Sequence, residues 1–139
     1  MIKRITGALM LLLLFAGCGK DEGSYIPNIL VNYRISIQQF KIESAKTTNG
    51  ILTVDNYGVA GLIIIEVAPR SYVAFDRCSS VNPEQRCQVV ADNRFTATDP
   101  CSGAKFSLID GSPSKAPAVR YLKSYRVHIG SDDMINVSN

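Results

Sequence analysis

Apolar and polar side chains alternate with a period of two through much of this chain. Residues 29–40 put Val31, Tyr33, Ile35 and Ile37 on one side and Asn32, Arg34, Ser36 and Gln38 on the other. This is the pattern of an antiparallel strand with one buried face. Asn49-Gly50 supplies a tight turn, because glycine takes a positive φ without steric penalty, and Ile51-Leu52-Thr53-Val54 follows as a strand. Gly58, Ala60 and Gly61 mark a bend. Residues 62–67 then break the alternation: Leu-Ile-Ile-Ile-Glu-Val is a continuous, largely β-branched run, which predicts a strand covered on both faces. Pro69-Arg70 turns the chain into Tyr72-Val73-Ala74-Phe75, a hairpin partner for that run. Gln88-Val89-Val90 and Arg94-Phe95-Thr96-Ala97 predict a further hairpin around Asp92-Asn93. Phe106-Ser107-Leu108 leads to an Asp110-Gly111 turn, and residues 122–129 and 134–137, separated by Gly130-Ser131-Asp132-Asp133, close the domain.

No long amphipathic helix and no internal repeat is visible. Many short strands separated by turn signals predict an all-β fold, a small sandwich or barrel of antiparallel sheets.

The start of the chain follows a different pattern. Lys3 and Arg4 precede an apolar run over residues 8–16 that ends in Gly17-Cys18. That run is too short for a bilayer core of about 30 Å and reads as an export signal. Phe15-Ala16-Gly17-Cys18 resembles the bacterial lipobox, with phenylalanine where leucine is usual; the resemblance implies cleavage after residue 17 and acylation of Cys18. Several acyl chains hold a protein to a membrane far more firmly than one. Residues 18–24 (Cys-Gly-Lys-Asp-Glu-Gly-Ser) form a lipidated, solvated tether, leaving residues 25–139 as a single domain. Its acidic residues resemble a sorting signal for the outer membrane, and they equally suit a plain spacer. The expected location is the bacterial cell envelope, lipid-anchored, at the outer membrane.

Charge adds little. The formal net charge is +3 over 139 residues, and Lys3 and Arg4 in the leader account for most of it. No run of basic residues occurs downstream, so no nucleic-acid or polybasic lipid surface is expected.

Counting is more decisive. The chain has one histidine, His128, within the alternating segment Tyr125-Arg126-Val127-His128-Ile129, where a strand's polar face is the simple explanation. Cys78, Cys87, Cys101 and His128 make up a three-thiolate, one-imidazole set known for zinc. None of them forms a tight Cys-x2-Cys pair, however, and an exported domain meets a compartment where disulfides persist. No metal or other cofactor is expected. Three cysteines in the domain allow one disulfide and leave one thiol over.

Two loops carry the strongest signal: Tyr72-Val73-Ala74-Phe75-Asp76-Arg77-Cys78-Ser79-Ser80 and Asp99-Pro100-Cys101-Ser102-Gly103-Ala104-Lys105-Phe106, followed by Gly111-Ser112-Pro113 and Lys115-Ala116-Pro117-Ala118. Their order resembles the Rieske iron–sulfur domain, over roughly residues 26–137. A Rieske centre is held by two cysteines on one iron and two histidines on the other, in loops reading Cys-x-His and Cys-Pro-Cys-His-Gly-Ser. Cys78 matches the first cysteine ligand, whereas Ser80 stands at the first histidine, Asp99 at the second cysteine and Ser102 at the second histidine. The resemblance therefore implies a Rieske-like stack of antiparallel sheets whose ligand positions have degenerated. It also implies a disulfide between the loops, with Cys101 matching one partner and Cys87, ahead of the next strand, the other; Cys78–Cys101 is the competing pair. A loop of that size is worth about 3 kcal/mol in the chain-entropy model.

Catalytic motifs are lacking. There is no Gly-x-Ser-x-Gly elbow and no phosphate loop, and Gly58-Val59-Ala60-Gly61 is too short for a nucleotide fingerprint. Asp132-Asp133 is better explained by its turn than by a cation. The expectation is a non-catalytic envelope lipoprotein whose Rieske-like scaffold serves as a binding or interaction module for an envelope protein or small ligand. The alternative is a thiol-based redox accessory, or electron-transfer-related envelope protein, acting through Cys78, Cys87 and Cys101. Either would present residues 78–87 and 99–105 at the tip of a rigid scaffold.

Overall fold

The computed structural model describes residues 26–139; the expected export signal, Cys18 and the expected tether lie outside these residues. Ten strands form two antiparallel sheets. The larger contains β1 (Asn32–Ser36), β2 (Leu52–Val54), β3 (Leu62–Ala68), β4 (Ser71–Asp76), β9 (Ser124–Ile129) and β10 (Met134–Ser138), in the order β1-β10-β9-β4-β3-β2. The smaller runs β5-β6-β7-β8, from Val90–Ala91, Thr96–Thr98, Lys105–Ser107 and Pro113–Lys115.

The continuous apolar run is covered on both faces. Leu62 and Ile64 enter one buried cluster, with Val31, Ile35, Phe40, Ala74, Tyr125, Ile135 and Val137. Ile63 and Ile65, pointing the other way, join Phe75, Val89, Ala97, Phe106, Leu108 and Leu122 beneath the small sheet. Side chains on a strand alternate between faces, so this one strand divides the interior into two cores. The hairpin to β4 closes at Pro69-Arg70, where Arg70 has φ 59° and its amide donates to Glu66 Oε1 at 3.1 Å.

The long first strand is corrected. Strand β1 ends at Ser36, and α1 (Ile37–Ser44) follows it. Ile37 continues the two-residue alternation, but Ile37, Phe40 and Ser44 also recur at helical spacing, and all three are buried. Ser36 decides the matter by capping the helix, its hydroxyl accepting from the Gln39 amide at 3.0 Å. Phe40 then packs edge-on against Tyr72, with ring centroids 5.0 Å apart. At the opposite end of the chain, Asp132 and Asp133 each pair with an arginine, Arg34 at 3.0 Å and Arg70 at 2.7 Å, so the acidic turn has structural partners.

Candidate functional site

The two loops meet at one tip of the molecule, and the scaffold fixes both. The first leaves β4 at Asp76, a completely buried carboxylate. Asp76 accepts from the Val59 amide (2.7 Å), the Ala60 amide (3.1 Å), the Cys78 amide (2.9 Å) and the Tyr125 hydroxyl (2.7 Å). A buried charge is tolerated only when bonded in this way. The Gly58-Val59-Ala60-Gly61 bend thus serves to aim backbone amides at Asp76. Past Cys78, the loop's neck is closed by the Val89 amide on the Arg77 carbonyl (2.7 Å) and the Ser79 amide on the Cys87 carbonyl (2.8 Å). Inside it Pro83–Gln85 makes a short 3-10 turn, flanked by Asn82 and Arg86 in left-handed conformations.

The second loop, residues 99–104, links β6 to β7. The Asp99 amide donates to the Ala104 carbonyl and the Gly103 amide to the Asp99 carbonyl, both at 2.8 Å. Asp99 is only 2% exposed. Its carboxylate accepts from the Cys101 amide (2.8 Å), the Ser102 hydroxyl (2.6 Å) and, across the tip, the Ser79 hydroxyl (2.7 Å). Burial alone would raise the Asp99 carboxyl. The bonds from Ser102 and Ser79 and from the backbone of Cys101 and Ser102 overcome it and hold the group below the usual carboxylate range.

Cys87 and Cys101 are joined by a disulfide, with Cα atoms 6.3 Å apart and a sequence separation of 14. Cys78 is the remaining free thiol among the described residues. It is fully buried, and its Sγ faces the Pro83 carbonyl at 3.4 Å and the Ser79 carbonyl at 3.7 Å. Burial, reinforced by Asp76, pushes this thiol up to about 11, so it is protonated at neutral pH and a poor nucleophile.

The four positions matched to cluster ligands do not act together. Asp99 and Ser102 bond to each other, Ser80 turns away to donate to the Arg120 carbonyl at 2.8 Å, and Cys78 points into its own loop. Ser79, not Ser80, reaches across to Asp99. These groups offer one thiol, one carboxylate and two hydroxyls, a set that does not fit the two-cysteine, two-histidine ligation of a Rieske centre. The three-cysteine, one-histidine zinc set is not assembled either. Two of its sulfurs share a disulfide, and His128 lies exposed on β9 opposite Asn136. Sequence reading missed Ser79, whose visible signal was its place in a Ser-Ser pair after Cys78; in an extended loop, adjacent side chains point in opposite directions. It also missed Asp76 and Tyr125 as the pair that anchors the loop.

No protein-family model and no curated protein matches this sequence. Among solved structures, the chain is similar to the cyanobacterial plasma membrane Rieske protein PetC3 from Synechocystis PCC 6803, with 18% identity, a TM-score of 0.55 and coverage of 81% of this chain and 99% of that one. It is also similar to a chain in the complex of reduced oxygenase and oxidized ferredoxin of carbazole 1,9a-dioxygenase (18% identity, TM-score 0.51, 78% of this chain and 93% of that one). The fold is Rieske-like.

Proposed function

We infer that this chain is a lipid-anchored protein of the bacterial cell envelope in which a Rieske-like scaffold works without an iron–sulfur cluster, as a non-catalytic binding or interaction module. The observation that carries this reading is the closed state of Asp99. Where the fold would call for a thiolate facing iron, there is a buried carboxylate already accepting from Ser79, Ser102 and the Cys101 amide. Satisfied polar groups of this kind lose hydrogen bonds if they are turned toward a new partner. The surface left for binding is the tip, residues 78–87 and 99–105, with an envelope protein or a small ligand as partner. Among the described residues, no helix is long and apolar enough to cross a membrane. The proposed attachment is Cys18 of the lipobox-like segment, at the outer membrane.

Anaerobic reconstitution with ferrous iron and sulfide tests the first part. The expected product is colourless and carries no stoichiometric iron or acid-labile sulfide; a Rieske-type paramagnetic signal would overturn the reading. Metabolic labelling with a palmitate analogue tests the anchor: the label should enter the wild-type chain and be absent from Cys18→Ser.

A thiol-based redox role is the second reading, favoured by the exposed position of Cys101 at the tip. A reduction potential far below that of the glutathione pool would mark the Cys87–Cys101 bond as structural, whereas a labile bond would favour this alternative.

A further inference from the structure

The tip holds a ligand set that differs from both the Rieske set and the three-cysteine, one-histidine set. One ligand atom each from Cys87, Asp99 and Cys101 lies within 4.8 Å of the others. We propose that reduction of the Cys87–Cys101 disulfide turns the tip into a binding site for a thiophilic divalent cation of the zinc class, held by two thiolates and the Asp99 carboxylate, with water as the fourth ligand.

Three observations support this. The first is spacing: tetrahedral zinc with Zn–S bonds of about 2.3 Å sets its two sulfurs about 3.8 Å apart. The backbone of both cysteines is tied down by bonds other than the disulfide. The Cys87 carbonyl accepts from the Ser79 amide, and the Cys101 amide is bound to Asp99. The second is orientation. Asp99 is held by Ser79 and Ser102, the kind of outer partner that fixes a ligating carboxylate. The Ser79 and Ser102 hydroxyls and the backbone amides of Cys101 and Ser102 already occupy the carboxylate. The cation takes the place of one of these donors, and its bond outweighs the hydrogen bond lost. The third is access, since Cys101 is exposed and Cys87 half-buried, so a reductant and an ion can both arrive. Cys78, buried against the Pro83 carbonyl, is not part of the set.

The chemistry balances. A dithiol reductant gives two electrons and two protons to the Cys87–Cys101 bond, becoming a disulfide itself and leaving two thiols. The cation then displaces two protons and binds as the dithiolate. The metal site and the disulfide are mutually exclusive, so the tip reports the redox state of its surroundings as metal occupancy.

The test uses the full-length chain carrying Cys18→Ser, so that Cys18 does not compete and Cys78, buried, is the one other thiol, in detergent. The protein is reduced with dithiothreitol, desalted anaerobically and titrated with Zn2+ against a chromophoric chelator. The reduced chain should bind one equivalent and the oxidised chain none. Bound Zn2+ should shield Cys87 and Cys101 from alkylation. Cys87→Ser and Cys101→Ser should each weaken binding by at least about 100-fold, and Ser102→Ala by about 10- to 100-fold through Asp99. Asp99→Asn should weaken it at least as much as Ser102→Ala, and Cys78→Ser should leave it unchanged. Circular dichroism establishes that each variant is folded; if Asp99→Asn is not, Ser102→Ala carries the Asp99 test. Absence of stoichiometric uptake by the reduced chain overturns the proposal, as does undiminished affinity in Cys101→Ser or Ser102→Ala. Failure here leaves the cluster-free reading intact, because that is judged by iron reconstitution.

Discussion

The Tyr125 hydroxyl donates to the Asp76 carboxylate at 2.7 Å, and both residues are buried. Asp76 ends β4, and Tyr125 lies on β9 next to it, where Ala74 pairs with Tyr125 and Phe75 with Ser124. The β4–β9 register is short, so this side-chain bond reinforces the seam between the two halves of the large sheet. The same carboxylate holds the Cys78 amide, so the seam and the origin of the first tip loop share one anchor. The phenol titrates above its ordinary value, because burial and the bond to Asp76 both favour its protonated form.

Tyr125→Phe removes one of four donors to a buried charge and should cost about 1.5–3 kcal/mol, the range for a hydrogen bond to an ionised group. Asp76→Ala should cost more, because it leaves the Val59, Ala60 and Cys78 amides and the Tyr125 hydroxyl without their partner. Urea unfolding checks both: a lower midpoint with an unchanged slope is the expected result.

Gly58 sits directly beneath this anchor. It has φ +62°, and a Cβ there would collide with the Asp76 carboxylate and come within 2.6 Å of the Tyr125 hydroxyl. Gly58→Ala should therefore exceed the ~1–3 kcal/mol of left-handed backbone strain alone. Gly103, with φ +76° and nothing within 4 Å of its Cβ position, is the control. Gly103→Ala should show the backbone cost and no more. Equal losses from the two substitutions, by thermal or urea melts, would contradict the packing argument.

What the sequence reveals here depends on the length scale of each interaction. The two-sided burial of Leu62, Ile63, Ile64 and Ile65 is written in adjacent residues, and the strand appears as expected. The helix at Ile37–Ser44 is hidden because Ile35 and Ile37 satisfy a period of two while Ile37 and Phe40 satisfy a helical one, and only the Ser36 cap breaks the tie. Strand β8 is hidden as well, since Gly111-Ser112-Pro113 reads as a turn although Pro113 pairs with Phe106. At the tip, pattern matching identifies Ser80 and Ser102 as equivalent positions, yet the Asp99 network takes Ser79 in place of Ser80. Such pairing across 20 residues depends on where the loops cross, which local pattern does not encode.

The disulfide gives a set of linked expectations. Cys101→Ser and Cys87→Ser each remove the same bond and should each cost about 2–5 kcal/mol. The double variant should cost little more than either single one, because the second substitution has no bond left to remove. Cys78 is fully buried and free, so in the folded, oxidised protein a maleimide should label it only after unfolding. Rapid native labelling of Cys78, or a peptide map linking Cys78 to Cys101, would contradict this arrangement.

Acid stability gives the remaining test. The Asp99 carboxyl is depressed in the folded protein: burial opposes ionisation, and the bonds from Ser102, Ser79 and the loop backbone outweigh it. A depressed folded value means that the unfolded chain binds the proton first as pH falls. The resulting stabilisation is fully present above the unfolded carboxylate value near 3.8 and is lost as pH falls through the lower folded value. Asp99→Asn should lower stability at neutral pH by removing an ionised acceptor, and should flatten the decline below about pH 4. Ser79→Ala should act in the same direction more weakly, since Ser102 and the Cys101 amide still hold the carboxylate. Urea midpoints measured from pH 7 down to pH 2 give the comparison; parallel pH profiles for wild type and Asp99→Asn would show that Asp99 is not the group whose protonation weakens the tip.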